Sequence, residues 1–346
     1  MRNKVIGLLF MLILIGLGGQ SVGANAAQAG FSIKPQFPQN QTDPKLGYYD
    51  LTVVPEQETV LKVTIINNED KSITVKPQIH TATTNLNGVV NYADLGTSDK
   101  SLKYKMTDLV KSEQAKYTIP ARSKTEAAFV VTAPSKSFDG VLAGGLSFVK
   151  QVASQSTESN GQAQVTNRFA YAVAILLRSE GQPAPAADLK LGTVKTGTVS
   201  QENSLFVNVR NVKPAYLHKV SAETKIYPAD KDKAIYTRQQ ANMQIAPNSI
   251  LPFKVPLNGD PFVPGRYRMT MTVRAGVRSW KFSKNFTITA AEAAKWNTET
   301  LGHNPIKDYT LWWWLGGLGL LLLVGIAWYL YARNRKLKRQ VQQMNS

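Results

Sequence analysis

The chain has 346 residues, no cysteine, 41 Lys and Arg against 23 Asp and Glu, and a formal net charge of +18. Without cysteine, disulfide frameworks, thiol catalysis and leader lipidation are excluded, so any exported part must hold itself together by burial alone. The charge is uneven: Phe31 to Pro183 holds 16 Lys/Arg against 14 Asp/Glu, whereas Asp188 to Ala290 holds 16 against 6, which places the basicity in the second half.

Arg2 and Lys4 precede an apolar stretch from Val5 to Leu17, and Ala24-Asn25-Ala26 offers a small-x-small cleavage site. The segment 1–26 is therefore expected to be a signal peptide, with cleavage after Ala29 as an equal alternative. From Phe31 onward the dominant period is two, the mark of half-buried strands. Leu61, Val63 and Ile65 alternate with Lys62 and Thr64; Ile73, Val75 and Ile79 follow a turn at Asn67-Asn68-Glu69-Asp70. Ser101 to Glu113 holds the one helix-like pattern before Ala290. Two loops stand out: Thr81 to Lys116, polar and long enough either to carry binding residues or to be plain structure, and Ala153 to Gln164, which reads as a hairpin tip.

Phe169, Tyr171, Val173, Ile175 and Leu177 alternate with alanines, so this strand either pairs with a partner's strand at an exposed edge or lies inside its own sheet. Gly181 to Ala187 is a Pro/Ala linker between a first domain at 31–180 and a second at 188–290. In the second, Tyr267, Met269, Met271 and Val273 alternate with polar residues, which turns Arg266, Arg268 and Arg274 outward together, with Arg278 on the following turn. That basic surface suits an anionic partner or membrane face, or simply a solvated strand. The pattern predicts an all-β protein of two tandem immunoglobulin-like β-sandwiches.

Residues 291–310 read as a stalk. Beyond it, Leu311 to Tyr331 carries no charge over 21 residues. At about 1.5 Å per residue this run is about 31 Å long and matches a hydrocarbon core of about 30 Å. Leu311, Trp312, Trp313 and Trp314 open this predicted transmembrane helix and Trp328 and Tyr331 close it, as aromatic belts. Arg333, Arg335, Lys336, Lys338 and Arg339 then mark a basic cytoplasmic tail at 332–346, with the domains outside the cell.

Chemistry is sparse. His80, His218 and His303 are scattered, so zinc and histidine catalysis lack support. Ser147-Phe148-Val149-Lys150 and Lys195-Thr196-Gly197 match two penicillin-binding motifs, but they fall in different domains, and Ser147 sits in a strand-like run. No phosphate loop occurs, and the tail cations read as a topology signal rather than a nucleic-acid site. No enzyme activity and no cofactor are expected. Tyr48 and Tyr49 are the tyrosines singled out for stacking on a glycan, because the first domain has no tryptophan.

Several segments taken in order carry a family resemblance. Phe31 to Gln41, Gly47-Tyr48-Tyr49-Asp50-Leu51, Val63 to Asn68, Thr84-Asn85-Leu86-Asn87-Gly88 and Phe138-Asp139-Gly140 to Leu146 resemble the first domain of the WxL-interacting proteins of Gram-positive bacteria. Ala246-Pro247-Asn248-Ser249 and Pro264-Gly265-Arg266-Tyr267 are similar to late strands of their second domain. Where the family usually has Pro-Gly-Gln, this chain has Pro55-Glu56-Gln57, which leaves the turn type open. The resemblance implies a peptidoglycan-binding domain, a host-binding domain with matrix protein as a ligand, and association with WxL-domain surface proteins. A binder of anionic wall polymer or glycan without a protein partner is the alternative, and an envelope enzyme the remote one.

Overall fold

Ten consecutive residues, Glu58 to Asn67, alternate exposed and buried side chains, and they form the second strand of a four-stranded sheet. The computed structural model describes residues 30–93, 96–151 and 170–299, together with Gly325, Ile326, Trp328 and Arg333, which are helical. In the first domain this sheet runs β1 (Phe31–Gln36), β3 (Glu58–Asn67), β9 (Lys124–Thr132) and β7 (Val110–Ser112). A five-stranded sheet, β2 (Tyr49–Val53), β11 (Ala170–Ser179), β10 (Leu142–Lys150), β4 (Ile73–Thr81) and β8 (Tyr117–Ile119), faces it. All neighbours are antiparallel except β2 and β11. Phe31, Tyr49, Tyr117, Phe129 and Phe148 are wholly buried between the sheets, where each large apolar side chain contributes about 1.5–3 kcal/mol.

The second domain packs β12 (Leu189–Val199), β13 (Glu202–Asn211) and β16 (Ile250–Pro256) against β15 (Tyr236–Ile245), β14 (Leu217–Pro228), β17 (Gly265–Ala275) and β18 (Arg278–Ile288). Its core is Leu205, Val207, Phe253, Met269, Met271 and Val273, the inward phase of the alternations read from sequence. The fourth strand of the domain, β15, pairs with the third rather than the fifth, so the split is three and four strands instead of the four and three of an immunoglobulin constant domain.

The pattern at Ser101–Glu113 collapses to one helical turn, α1 (Met106–Leu109), because β7 begins at Val110. The segment read as the start of a stalk forms a helix, α2 (Ala290–Glu299), packed on the second sandwich. Thr289 and Glu292 close a reciprocal capping box at its start (Glu292 N–H to Thr289 Oγ1, 3.2 Å; Thr289 N–H to Glu292 Oε2, 2.9 Å). Trp296 Nε1 donates to Thr196 Oγ1 at 3.0 Å, and Asn297 bonds both the N–H and the carbonyl of Phe262. Among the described residues no helix is long and apolar enough to cross a membrane. The signal peptide at 1–26, the loop at 153–164, His303, Phe169, Leu311, Trp312, Trp313, Trp314, Tyr331, Arg335, Lys336, Lys338 and Arg339 lie outside the described residues.

Candidate functional site

The polar loop after β4 does not stand free. It forms a small hairpin, β5 (Thr83–Thr84) and β6 (Val90–Asn91), turning at Asn85 to Gly88, and this hairpin reaches the second domain. The Asn87 carbonyl accepts from Gln240 Nε2 at 2.8 Å and the Gly88 carbonyl from the Gln244 N–H at 2.7 Å. Thr84 Oγ1 accepts from the Ala246 N–H at 3.0 Å and shares a 2.7 Å hydrogen bond with Ser249 Oγ. Gly88 has φ +68°, and a Cβ there would lie 2.4 Å from Met243 Cγ.

Farther along the same loop, Asp99 pairs with Arg210 (Arg210 Nη2 to Asp99 Oδ1, 3.0 Å), and the Asp99 side chain is 1% exposed. Burial works against the Asp99 carboxylate, but hydrogen bonds from Arg210 and Ser101 outweigh it and hold its pKa below the usual Asp value. Asp99 N–H also donates to the Asn248 carbonyl at 2.7 Å, and Asn248 Nδ2 to Ser101 Oγ at 2.8 Å. On the other flank the Val141 N–H donates to Pro214 O at 2.8 Å, and Tyr92 and Tyr216 share a 3.1 Å hydroxyl contact. Burial pushes the Tyr216 hydroxyl far above its usual pKa. An apolar cluster of Ala82, Val90, Val141, Ala143, Leu176 and Ala246 fills the space between.

Tyr48 and Tyr49 do not form a platform. Tyr49 opens β2 and is fully buried, its hydroxyl donating to Lys62 O at 2.7 Å and its ring edge-on to Phe37. Tyr48 packs, half-buried, between the first core and the junction cluster.

The strand Phe169–Leu177 divides in two. β11 pairs with β10 along Ala170 to Leu177, but with β2 only from Ile175 to Ser179. Val173, Ile175 and Leu177 are core residues, and Tyr171 stacks edge-on against Phe31 at 5.0 Å. The Glu180 N–H donates to Val53 O on the β2 side. By period two the N–H and C=O of Ala170, Ala172 and Ala174 point the same way, past the end of β2. Over those residues the strand has a free edge among the described residues; from Ile175 on it is interior.

Arg266, Arg268 and Arg274 share the outer face of the second domain, as expected, while Tyr267, Met269, Met271 and Val273 are buried. Arg268 binds Asp232 at 2.9 Å and lies 4.7 Å over the Tyr227 ring. Arg278 is not part of this stripe. Its register opposite Ala275 puts it in phase with Trp280 and Phe282, and its guanidinium donates to the Ala187 carbonyl of the linker.

Ser147 is 1% exposed and shares a 2.8 Å hydrogen bond with His80 Nε2, itself buried in mid-sheet, and Lys195 belongs to the other domain. His218 stacks on Tyr216. Among the described residues no three His, Asp or Glu side chains gather as metal ligands. A cleft of about 370 Å³, lined by Pro228, Ile235, Tyr236, Pro264 and Tyr267, opens at the end of the second domain away from the junction.

Two family models match in sequence: the WxL Interacting Protein peptidoglycan binding domain over residues 31–150 and the WxL Interacting Protein host binding domain over residues 160–298. The chain belongs to the WxL-interacting protein family. No curated protein matches it. Among solved structures it is similar to a chain of the Salmonella enterica SafA pilin–SafB chaperone complex (13% identity, 75% of this chain and 99% of that one, TM-score 0.30). It is also similar to the YadV chaperone (13%, 75% and 100%, TM-score 0.29) and the Escherichia coli chaperone DraB (13%, 75% and 98%, TM-score 0.27). At such scores the likeness carries nothing further.

In this WxL-interacting protein, three of the segments that resemble the family, Thr84 to Gly88, Phe138 to Leu146 and Ala246 to Ser249, converge on the domain junction. Gly140 has φ +71°, and a Cβ there would meet Pro214 O at 2.1 Å. The contacts that sequence reasoning missed are Asp99 with Arg210 and Thr84 with Ser249, which are far apart in the chain. Lys281, in the exposed phase of β18, was legible by the same period that placed the arginines.

Proposed function

We propose that this protein is a non-catalytic, membrane-anchored adaptor that holds WxL-domain proteins and the cell wall at the outer surface, with a host matrix protein as a further ligand of the second domain. The observation that carries the reading is the junction: a peptidoglycan-binding and a host-binding domain joined into one body by the residues that mark the family. The uncharged run Leu311–Tyr331 and its basic tail support the anchor, with the domains outside and the tail in the cytoplasm.

The free half-edge of β11 supports strand addition by the WxL partner, which would supply main-chain partners to Ala170, Ala172 and Ala174. The decisive variant is Ala172→Pro, which removes an outward N–H from an exposed position. Val173→Pro would instead strike the existing ladder with β10. Full-length protein in detergent should capture a WxL-domain protein, and Ala172→Pro should weaken capture at least tenfold with unchanged thermal unfolding. Undiminished capture by a folded Ala172→Pro protein rules out this edge; no capture by the parent rules out the adaptor.

A further inference from the structure

The outer face of the sheet β15-β14-β17-β18 is polar throughout. Register sets out its rows: Arg266 lies opposite Thr287; Arg268 between Tyr227 and Asn285; Thr270 between Lys225 and Ser283; Thr272 between Glu223 and Lys281; and Arg274 between Ser221 and Ser279. Each of these five rows holds one cation, in the order Arg266, Arg268, Lys225, Lys281, Arg274. Successive rows are two residues apart, about 7 Å, so the rows climb the face evenly over about 27 Å while successive cations stand about 7 to 12 Å apart. Lys225 and Lys281 stand on the strands either side of β17, about 5 Å off its line.

Among the described residues Glu223 and Asp232 oppose them, through part-exposed pairs with Lys225 (3.0 Å) and Arg268 (2.9 Å). Such pairs are weak and exchangeable. The first cause holding the Glu223 carboxyl below its usual pKa is Lys225, and Arg274 adds to it from farther off. Arg266, Arg274 and Lys281 are exposed and have no ion pair among the described residues. Among the described residues no large apolar side chain is exposed on this face; those of the second domain, Ile235, Val263 and Val277, lie in loops and turns.

We propose that this face binds a linear polyol-phosphate polymer of the wall, laid along β17. A narrow band of cations along β17, one per row, is complementary to a chain with one negative charge per repeat, and the Ser, Thr and Asn side chains between them offer hydrogen bonds to its oxygens. A 1,3-glycerol phosphate repeat advances by about six backbone bonds, as do two peptide residues, so its phosphates recur at about the step of the rows. A protein partner would need an apolar centre, which this face lacks. The inference asks nothing of the WxL partner and stands or falls apart from the adaptor reading.

The test uses full-length protein in detergent micelles and immobilised 1,3-poly(glycerol phosphate). Binding should weaken steeply between about 0.05 and 0.15 M salt. The triple variant Arg266→Ser, Arg274→Ser, Lys281→Ser should bind at least tenfold more weakly with a flatter salt response, while a variant with all three positions occupied by lysine stays within about threefold of the parent. Lys103→Ser, Lys111→Ser, Lys136→Ser removes equal charge from the first domain and should change little. The proposal is overturned if the parent does not bind, if the two serine triples lose binding equally, if a folded face variant binds as the parent does, or if heparin or poly-glutamate competes better than poly(glycerol phosphate).

Discussion

Glu56 adopts φ 62°, a left-handed conformation that costs a non-glycine residue about 1 kcal/mol, at the position where the family usually has glycine. Its side chain is exposed. Glu56→Gly should therefore raise stability by up to about 1 kcal/mol, a rise of about 2–4 °C in the unfolding midpoint of the first domain by calorimetry. An unchanged midpoint would show that added unfolded-state freedom cancels the relief. Asn67 works the other way. Its amide donates to three carbonyls, of Lys71, Ile119 and Pro120, at 2.8, 3.1 and 2.8 Å, and ties the end of β3 to the turn before β9. Asn67→Ala removes all three bonds, although Ser72 Oγ still donates to the Ile119 carbonyl and Ser123 Oγ to that of Pro120, and should cost about 1–3 kcal/mol in denaturant unfolding; a loss below about 0.5 kcal/mol would contradict this role.

Strands whose burial alternates were legible residue by residue, as β3 and β17 show, because side-chain direction follows from local geometry. The hairpin β5–β6 was legible only as a turn at Asn85-Leu86-Asn87-Gly88. Its polar residues are satisfied by groups some 150 positions away, and nothing in Thr84 or Asp99 distinguishes a surface loop from a strap. Tyr49 failed as a glycan contact for a related reason: only the fold says that it opens β2 with its ring in the core while Tyr48 packs half-buried beside it. The strap's tip gives a sharp test. Gly88→Ala meets both an unfavourable φ and Met243, so the hairpin should lift from the second domain while both sandwiches stay folded. Because the chain lacks cysteine, labels at Thr118→Cys and Lys233→Cys can report the distance between domains, which should broaden in this variant.

At the scale of the whole molecule the two sandwiches form one body, held by Asp99–Arg210, the Thr84–Ser249 contact and the apolar cluster between them. The pKa of Asp99 is lowered in the folded state, so its contribution is complete above the ordinary Asp value of about 3.9 and is lost only as pH falls through the lower folded value. The label distance should hold from neutral pH to about pH 5 and broaden in stronger acid. Asp99→Ala, which strands Arg210 in a largely buried site, should broaden it at neutral pH, at a cost of about 3 kcal/mol. The junction gathers the start of β10 and the ends of β4 and β11, so Phe31, beside the far end of β3, lies at one pole of the body. Ile288, at the end of β18 away from the junction, lies at the other. A pull between these poles acts along the strands, and the ladder bonds of β1 on β3 and of β18 on β17 run across it. Tension then loads each ladder in shear, with all its bonds sharing the force, instead of peeling them one by one. A chain pulled from these two poles gains from that geometry a resistance to being drawn out that thermal stability alone does not measure.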